Sequence, residues 1–242
     1  MVKAIGPIAS APPKHKFLGT QMKKLITITT ALFAASPAFA HHPLAGAKME
    51  TFMHGMLSGV GHPLLGFDHL FFVALVGIVG VYTARHYSVP LAFISAMLIG
   101  TLFSSFGFAI PATEIMIIIS LLALGGIVAA GRKINLKSAM ILFAITGLFH
   151  GSAFGASIAG QEIAVGSTVL IGYLLGLGII QYLIVILTGF VAITIWKASE
   201  ATAVSVRMSG AFVAGIGVFL ALEEIEGAAF NALGLGLSLI HI

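Results

Sequence analysis

The sequence predicts an all-α membrane protein, with six transmembrane helices following a cleaved signal peptide. Three observations carry this. Of the 242 residues 59% are hydrophobic and only 8% charged, against roughly 45–50% and 25% in soluble domains. The mean hydropathy is +1.10. The charges gather in short clusters, and the runs between them exceed the roughly 20 residues that a bilayer-spanning helix needs. A soluble fold is excluded, and the lipid bilayer is the expected environment.

From the N-terminus, Met22-Lys23-Lys24, the apolar stretch Leu25 to Ala35 and the exit Ser36-Pro37-Ala38-Phe39-Ala40 have the basic, apolar and A-x-A parts of a secretory signal. Residues 22–40 are therefore read as a signal peptide, and cleavage after Ala40 would expose His41 on the outer face. Residues 1–21, with Pro12-Pro13 and scattered lysines, have no place in such a signal. They are read as a non-native or disordered extension, with translation beginning at Met22. Residues 41–242 then form one transmembrane domain.

Hydropathy places six helical spans in that domain, near Pro63–Ala84, Val89–Ile110, Thr113–Ala130, Ser138–Ile158, Ser167–Trp196 and Met208–Glu223. With the mature N-terminus outside, the cytoplasmic connections carry Arg85, Arg132, Lys133, Lys137, Lys197 and Arg207, and the outer ones only Lys48. This bias satisfies the positive-inside rule independently of the signal peptide. It expects an inner-membrane protein with both termini outside. Spans one and four run in opposite directions and both carry histidines, as a three-plus-three inverted repeat would place them. Gly147, Gly151 and Gly155 form a small-residue stripe that lets span four approach a neighbour closely.

The charge of +4 and pI near 9.5 come from loop and N-terminal residues, so no basic patch for nucleic acid is expected. Cysteine is absent, which excludes disulfides, thiolate metal sites and thiol catalysis. The remaining ionisable residues inside the spans each ask for a reason, since Asp at a helix centre costs roughly 2.5–3.5 kcal/mol on insertion scales. The densest group is His62-Pro63-Leu64-Leu65-Gly66-Phe67-Asp68-His69. Pro63 suits a first helical turn, so the helix is expected to start there with Asp68 and His69 one to two turns inside.

On a regular helix His62 and His69 share a face but stand about 10 Å apart, too far for two bonds of about 2 Å to one ion. Either Gly61 and Gly66 let the lead-in fold back, or the two histidines are stations visited in turn. Asp68 can bind the ion beside His69 or fix its tautomer. His150 falls near the middle of span four, where a place in the bundle interior opposite His69 is expected. Glu162 follows span four. His41 and His42 with the new α-amine could capture an ion outside, and His54 follows them. Glu223, Glu224 and Glu226 make an acidic end, and Met49, Met53 and Met56 have helical spacing that apolar packing explains. Imidazole and carboxylate without thiolate suit nickel, cobalt or zinc, and residue types do not rank the three.

His62-Pro63-Leu64-Leu65-Gly66-Phe67-Asp68-His69 resembles the first-helix H-P-x-x-G-x-D-H signature of the HupE/UreJ family of nickel and cobalt permeases. Phe149-His150-Gly151-Ser152-Ala153-Phe154-Gly155 with Glu162 is similar to its second signature, F-H-G-x-A-x-G followed by Glu. Here Glu162 stands seven residues after Gly155, further than the family spacing. The resemblance implies secondary uptake of Ni2+, and of Co2+, for hydrogenase or urease maturation. It implies that His62, Asp68, His69 and His150 bind the ion, with His41, His42 and Glu162 as weaker candidates. The ion is cargo, and no cofactor is expected. No G-x-x-x-x-G-K-[ST] motif occurs, so the chain is not read as an ATPase or other enzyme. A homo-oligomer is compatible with the sequence. The rival reading is an intramembrane zinc-dependent hydrolase, in which His62, His69 and His150 hold zinc and Asp68 or a glutamate handles the proton of a bound water.

Overall fold

The computed structural model describes residues 48–83, 87–108, 110–159, 166–198 and 200–233. The signal peptide, His41, His42 and Glu162 lie outside these residues. Among the described residues there are seven α-helices and no strand: α1 (Phe52–Leu65), α2 (Phe67–Val81), α3 (Val89–Ser105), α4 (Thr113–Ala129), α5 (Leu136–Ala159), α6 (Ser167–Phe190) and α7 (Val204–Ala232). A π-helical turn, Val191–Ile195, prolongs α6.

The faces of α6 show what surrounds it. Ile171, Leu175, Ile179, Leu183, Leu187 and Phe190 are all exposed, whereas the buried stripe includes Gly172, Tyr173, Gly176 and Gln181. A helix on water would have the reverse distribution. An exposed apolar stripe around a more polar interior suits lipid. By length and apolarity α5, α6 with its π turn, and α7 can each cross a bilayer, and α1 with α2 makes a fourth if counted as one bent span. The apolar α3 and α4 have 17 residues each, about 26 Å of helix, somewhat short of a core of about 30 Å.

The first expected span is corrected. It does not begin at Pro63: α1 begins eleven residues earlier, at Phe52, capped by the Thr51 side chain, which accepts from the His54 N–H. Pro63 lies in the last turn of α1, where its missing N–H removes one backbone bond near an end already closing. The chain then bends by 82° between α1 and α2. Gly66 makes the break. Its N–H donates to the His62 carbonyl at 3.0 Å, and its own carbonyl accepts from Leu70 at 2.8 Å. Asp68 therefore sits in the first turn of α2, not deep within a longer helix. The last expected span is also longer than Met208–Glu223, so Glu223, Glu224 and Glu226 lie within α7, all exposed.

Three close helix pairs organise the bundle: α1 with α6, α3 with α5 and α4 with α7. Each is made through glycine. Gly55 and Gly59 of α1 lie against the backbone at Val169 and Tyr173, and Gly172 and Gly176 of α6 against that at Phe52 and Met56. The Gly147, Gly151 and Gly155 stripe packs on α3 at Phe93, Met97 and Thr101, and Gly125 meets Gly210 across α4 and α7. The interior is filled by Phe72, Phe93, Phe143, Phe154, Leu121, Leu124 and Tyr173, all fully buried. This packing holds α2 and α5 at the centre, where the histidines are.

Candidate metal centre

His69 and His150 meet in the core. The Nδ1 atoms of the two rings are 2.8 Å apart, and His150 Nε2 is 2.9 Å from the Ser120 hydroxyl of α4. His150 is fully buried and His69 is 7% exposed. The Phe72 ring stacks on His150 with centroids 4.5 Å apart, and Phe93 meets it edge-on at 5.6 Å. His69 Nε2 lies 3.6 Å from Asp68 Oδ2. Asp68 lies in the first turn of α2, where the backbone N–H groups of the helix start are open donors.

With both imidazoles neutral, the order of donors along this chain has two self-consistent forms. Where the Ser120 hydroxyl gives its proton to the Ile117 carbonyl at 2.7 Å, it accepts from His150 Nε2–H, His69 donates from Nδ1–H to His150 Nδ1, and the His69 Nε2 lone pair faces Asp68. Where the hydroxyl donates to His150 Nε2 instead, His150 donates from Nδ1–H to His69 and His69 donates from Nε2–H to the Asp68 carboxylate. A cation between His69 Nε2 and Asp68 selects the first form, because it needs the Nε2 lone pair.

His62 is the third histidine of the region. Its Nδ1 is 3.0 Å from the Tyr173 hydroxyl of α6, yet its ring shares a neighbour with His69. The Phe154 ring is 5.0 Å from that of His62 and 4.4 Å from that of His69. The break at Gly66 thus draws the two histidines onto one aromatic side chain. Among the described residues no three His, Asp or Glu side chains converge as a preformed metal cage.

Sequence reasoning passed over Ser120, Tyr173 and Glu114. Glu114, in the first turn of α4, couples electrostatically to Asp68, His69 and Glu224. An acidic residue at the head of the apolar run Ile115 to Ile119 is the signal that could have found it. Ser120 and Tyr173 offer no such signal, since single hydroxyls in apolar helices are common. His54 accepts from the Glu50 N–H and serves the start of α1.

A lipid-adapted helical bundle with imidazole and carboxylate gathered at a broken helix defines a multi-pass membrane protein built around a buried polar site. The chain belongs to the HupE/UreJ family: the family model described as HupE / UreJ protein matches residues 29–220. This family is generally one of nickel and cobalt transport. The chain is 32% identical over 165 residues to Protein HupE of Rhizobium leguminosarum bv. viciae, covering 64% of this chain and 84% of that protein. No solved structure matches it significantly.

Proposed function

We propose that this protein is a secondary permease that carries Ni2+, and Co2+ less selectively, across the inner membrane for hydrogenase or urease maturation. One observation supports this above the others: His69 Nε2 and the Asp68 carboxylate face each other at 3.6 Å. Two ligand atoms with bonds of about 2.1 Å stand about 3.0 Å apart at a right angle and about 3.4 Å at a tetrahedral angle. A borderline divalent ion enters between them with a few tenths of an ångström of adjustment.

In this reading the ion arrives at His62 beside Tyr173, passes the Phe154 ring and is taken by Asp68 and His69. His150 and Ser120 orient His69 from behind. His41, His42 and Glu162 are assigned to outer capture, ahead of His62. The pattern of helix pairs supports the inverted repeat: α1–α2 with α6, α3 with α5 and α4 with α7 map onto themselves when the first three spans exchange with the last three. Such pairing suits alternating access around a fixed central site. The hydrolase reading gains no support, because His62, His69 and His150 do not close on one position.

Accumulation of radioactive nickel in cells expressing the protein tests the proposal, with cobalt, zinc and copper as competitors. Saturable uptake relieved most by unlabelled nickel is expected, followed by cobalt. Uptake no greater than in cells lacking the protein would overturn it.

The Ser120 bond gives a second expected result. In the cation-binding form the Ser120 hydroxyl holds the proton on His150 Nε2, so Ser120→Ala removes that acceptor and disfavours the donor order that frees His69 Nε2. A loss of about tenfold in nickel accumulation is expected, the lower range for removing a supporting partner of a metal ligand. Ser120→Thr, which keeps the hydroxyl, should retain most activity. Nitrogen chemical shifts of the histidine rings report the tautomer directly, and an unchanged tautomer in Ser120→Ala would sink the explanation.

A further inference from the structure

Gln181 is fully buried on α6, yet its amide is half satisfied. Its Nε2 donates to the Met97 sulfur at 3.7 Å, and its Oε1 has no hydrogen-bond partner. Only the amino end of the amide can donate to a thioether, so the carbonyl end is the one left over. An unpartnered amide oxygen in an apolar bundle costs stability that a leucine in its place would not. A group of this kind calls for an explanation.

Its position supplies one. Met97, fully buried on α3, stands one turn after Phe93, whose ring meets His150. The Met97 carbonyl packs on Gly151, the residue next to His150. The Thr101 hydroxyl donates to that carbonyl at 2.9 Å and lies 3.7 Å from the Met97 sulfur. Along α6, Gln181 follows Tyr173, the partner of His62, by eight residues, about 12 Å of helix. The Met97 sulfur therefore has the amino end of the Gln181 amide on one side and the Thr101 hydroxyl on the other, on a residue whose carbonyl packs against the neighbour of His150.

We propose that Gln181 and Met97 form a further station for the cation after it leaves Asp68 and His69: the Gln181 amide turns over, its unpartnered oxygen replaces its amino group beside the Met97 sulfur, and oxygen and thioether take up the ion. This rests on the reading of Asp68 and His69 as the first ligands. Both donors are neutral, so they hold a dication less firmly than a carboxylate does. A thioether also favours borderline and soft ions over magnesium or calcium. The station accordingly takes nickel or cobalt stripped of part of its hydration shell and passes it on.

The test is Gln181→Leu, read twice and set beside His69→Ala at matched abundance. The thermal unfolding midpoint of the purified variant in detergent is expected to stay level or rise, because the orphan oxygen is gone. Nickel accumulation in cells is expected to fall about tenfold, as for loss of a supporting metal contact. Met97→Leu, which conserves volume, should give a smaller fall in the same direction. If Gln181→Leu accumulates nickel like the parent while His69→Ala does not, the station is overturned and the outer pair stands. If neither variant loses uptake, the outer pair falls as well. A lowered midpoint accompanying lost uptake in Gln181→Leu would assign the residue to packing and overturn the station.

Discussion

Replacing His69 with alanine is expected to bring nickel accumulation down to the level of cells without the protein, the largest functional effect of any single change. Three roles end at once. The ring supplies the Nε2 opposite Asp68, the Nδ1 that partners His150 and a packing surface for Phe154. Asp68→Asn separates these roles, since it keeps the shape and removes only the charge, so uptake should fall about tenfold or more while the protein stays folded. Uptake is measured with radioactive nickel at matched protein abundance, and folding by monodispersity in detergent. Parent-like uptake in both variants would remove the basis for the proposed route.

The largest stability effect is expected from Gly151→Ala. A Cβ at this position would sit inside the van der Waals envelope of the Met97 backbone carbonyl. A backbone atom cannot rotate away as a side chain would, so α3 and α5 must move apart along the most extensive helix pair in the bundle. Overpacking in a tight core costs about 1–3 kcal/mol, and here the strain falls beside His150. A lowered unfolding midpoint and a large loss of uptake are expected together. Gly126→Ala is the control. A Cβ there meets nothing within 4 Å, so the substitution should be neutral or stabilising by up to about 1 kcal/mol through helix propensity. Equal behaviour of the two variants would contradict the packing account.

Much of the helical content was legible in the sequence because lipid demands long apolar runs, and Ser167 to Trp196 is so uniformly apolar that its helix could hardly be missed. The segment before Pro63 was not legible for a physical reason. Gly55, Ser58, Gly59 and Gly61 dilute its hydropathy, and Gly55 and Gly59 are the residues that let α1 lie on the backbone of α6. Its polarity serves packing rather than solvation. Pro63 then reads as a helix start, although it closes α1. The meeting of His150 with His69 was foreseeable, because a histidine at mid-membrane needs a partner. The Ser120 hydroxyl beside His150 was not, since only the three-dimensional crossing of α4 with α5 brings it there. The spacing of His62 and His69 left a fold-back and separate stations open. The chain does bend at the break, by 82°, and the stations belong to the proposed route.

The break between α1 and α2 also bears on how long an ion would stay on the proposed route. Asp68 stands in the first turn of α2, where the helix macrodipole stabilises a carboxylate by about 0.3–1 kcal/mol. A dication bound there would compete with those dipoles, which shortens its dwell time roughly two- to fivefold for that range of energies. An uninterrupted helix would bury the same carboxylate among apolar side chains, away from the open amides of a helix start. On the proposed route the interruption sets a clock as much as a site, through the position of one glycine.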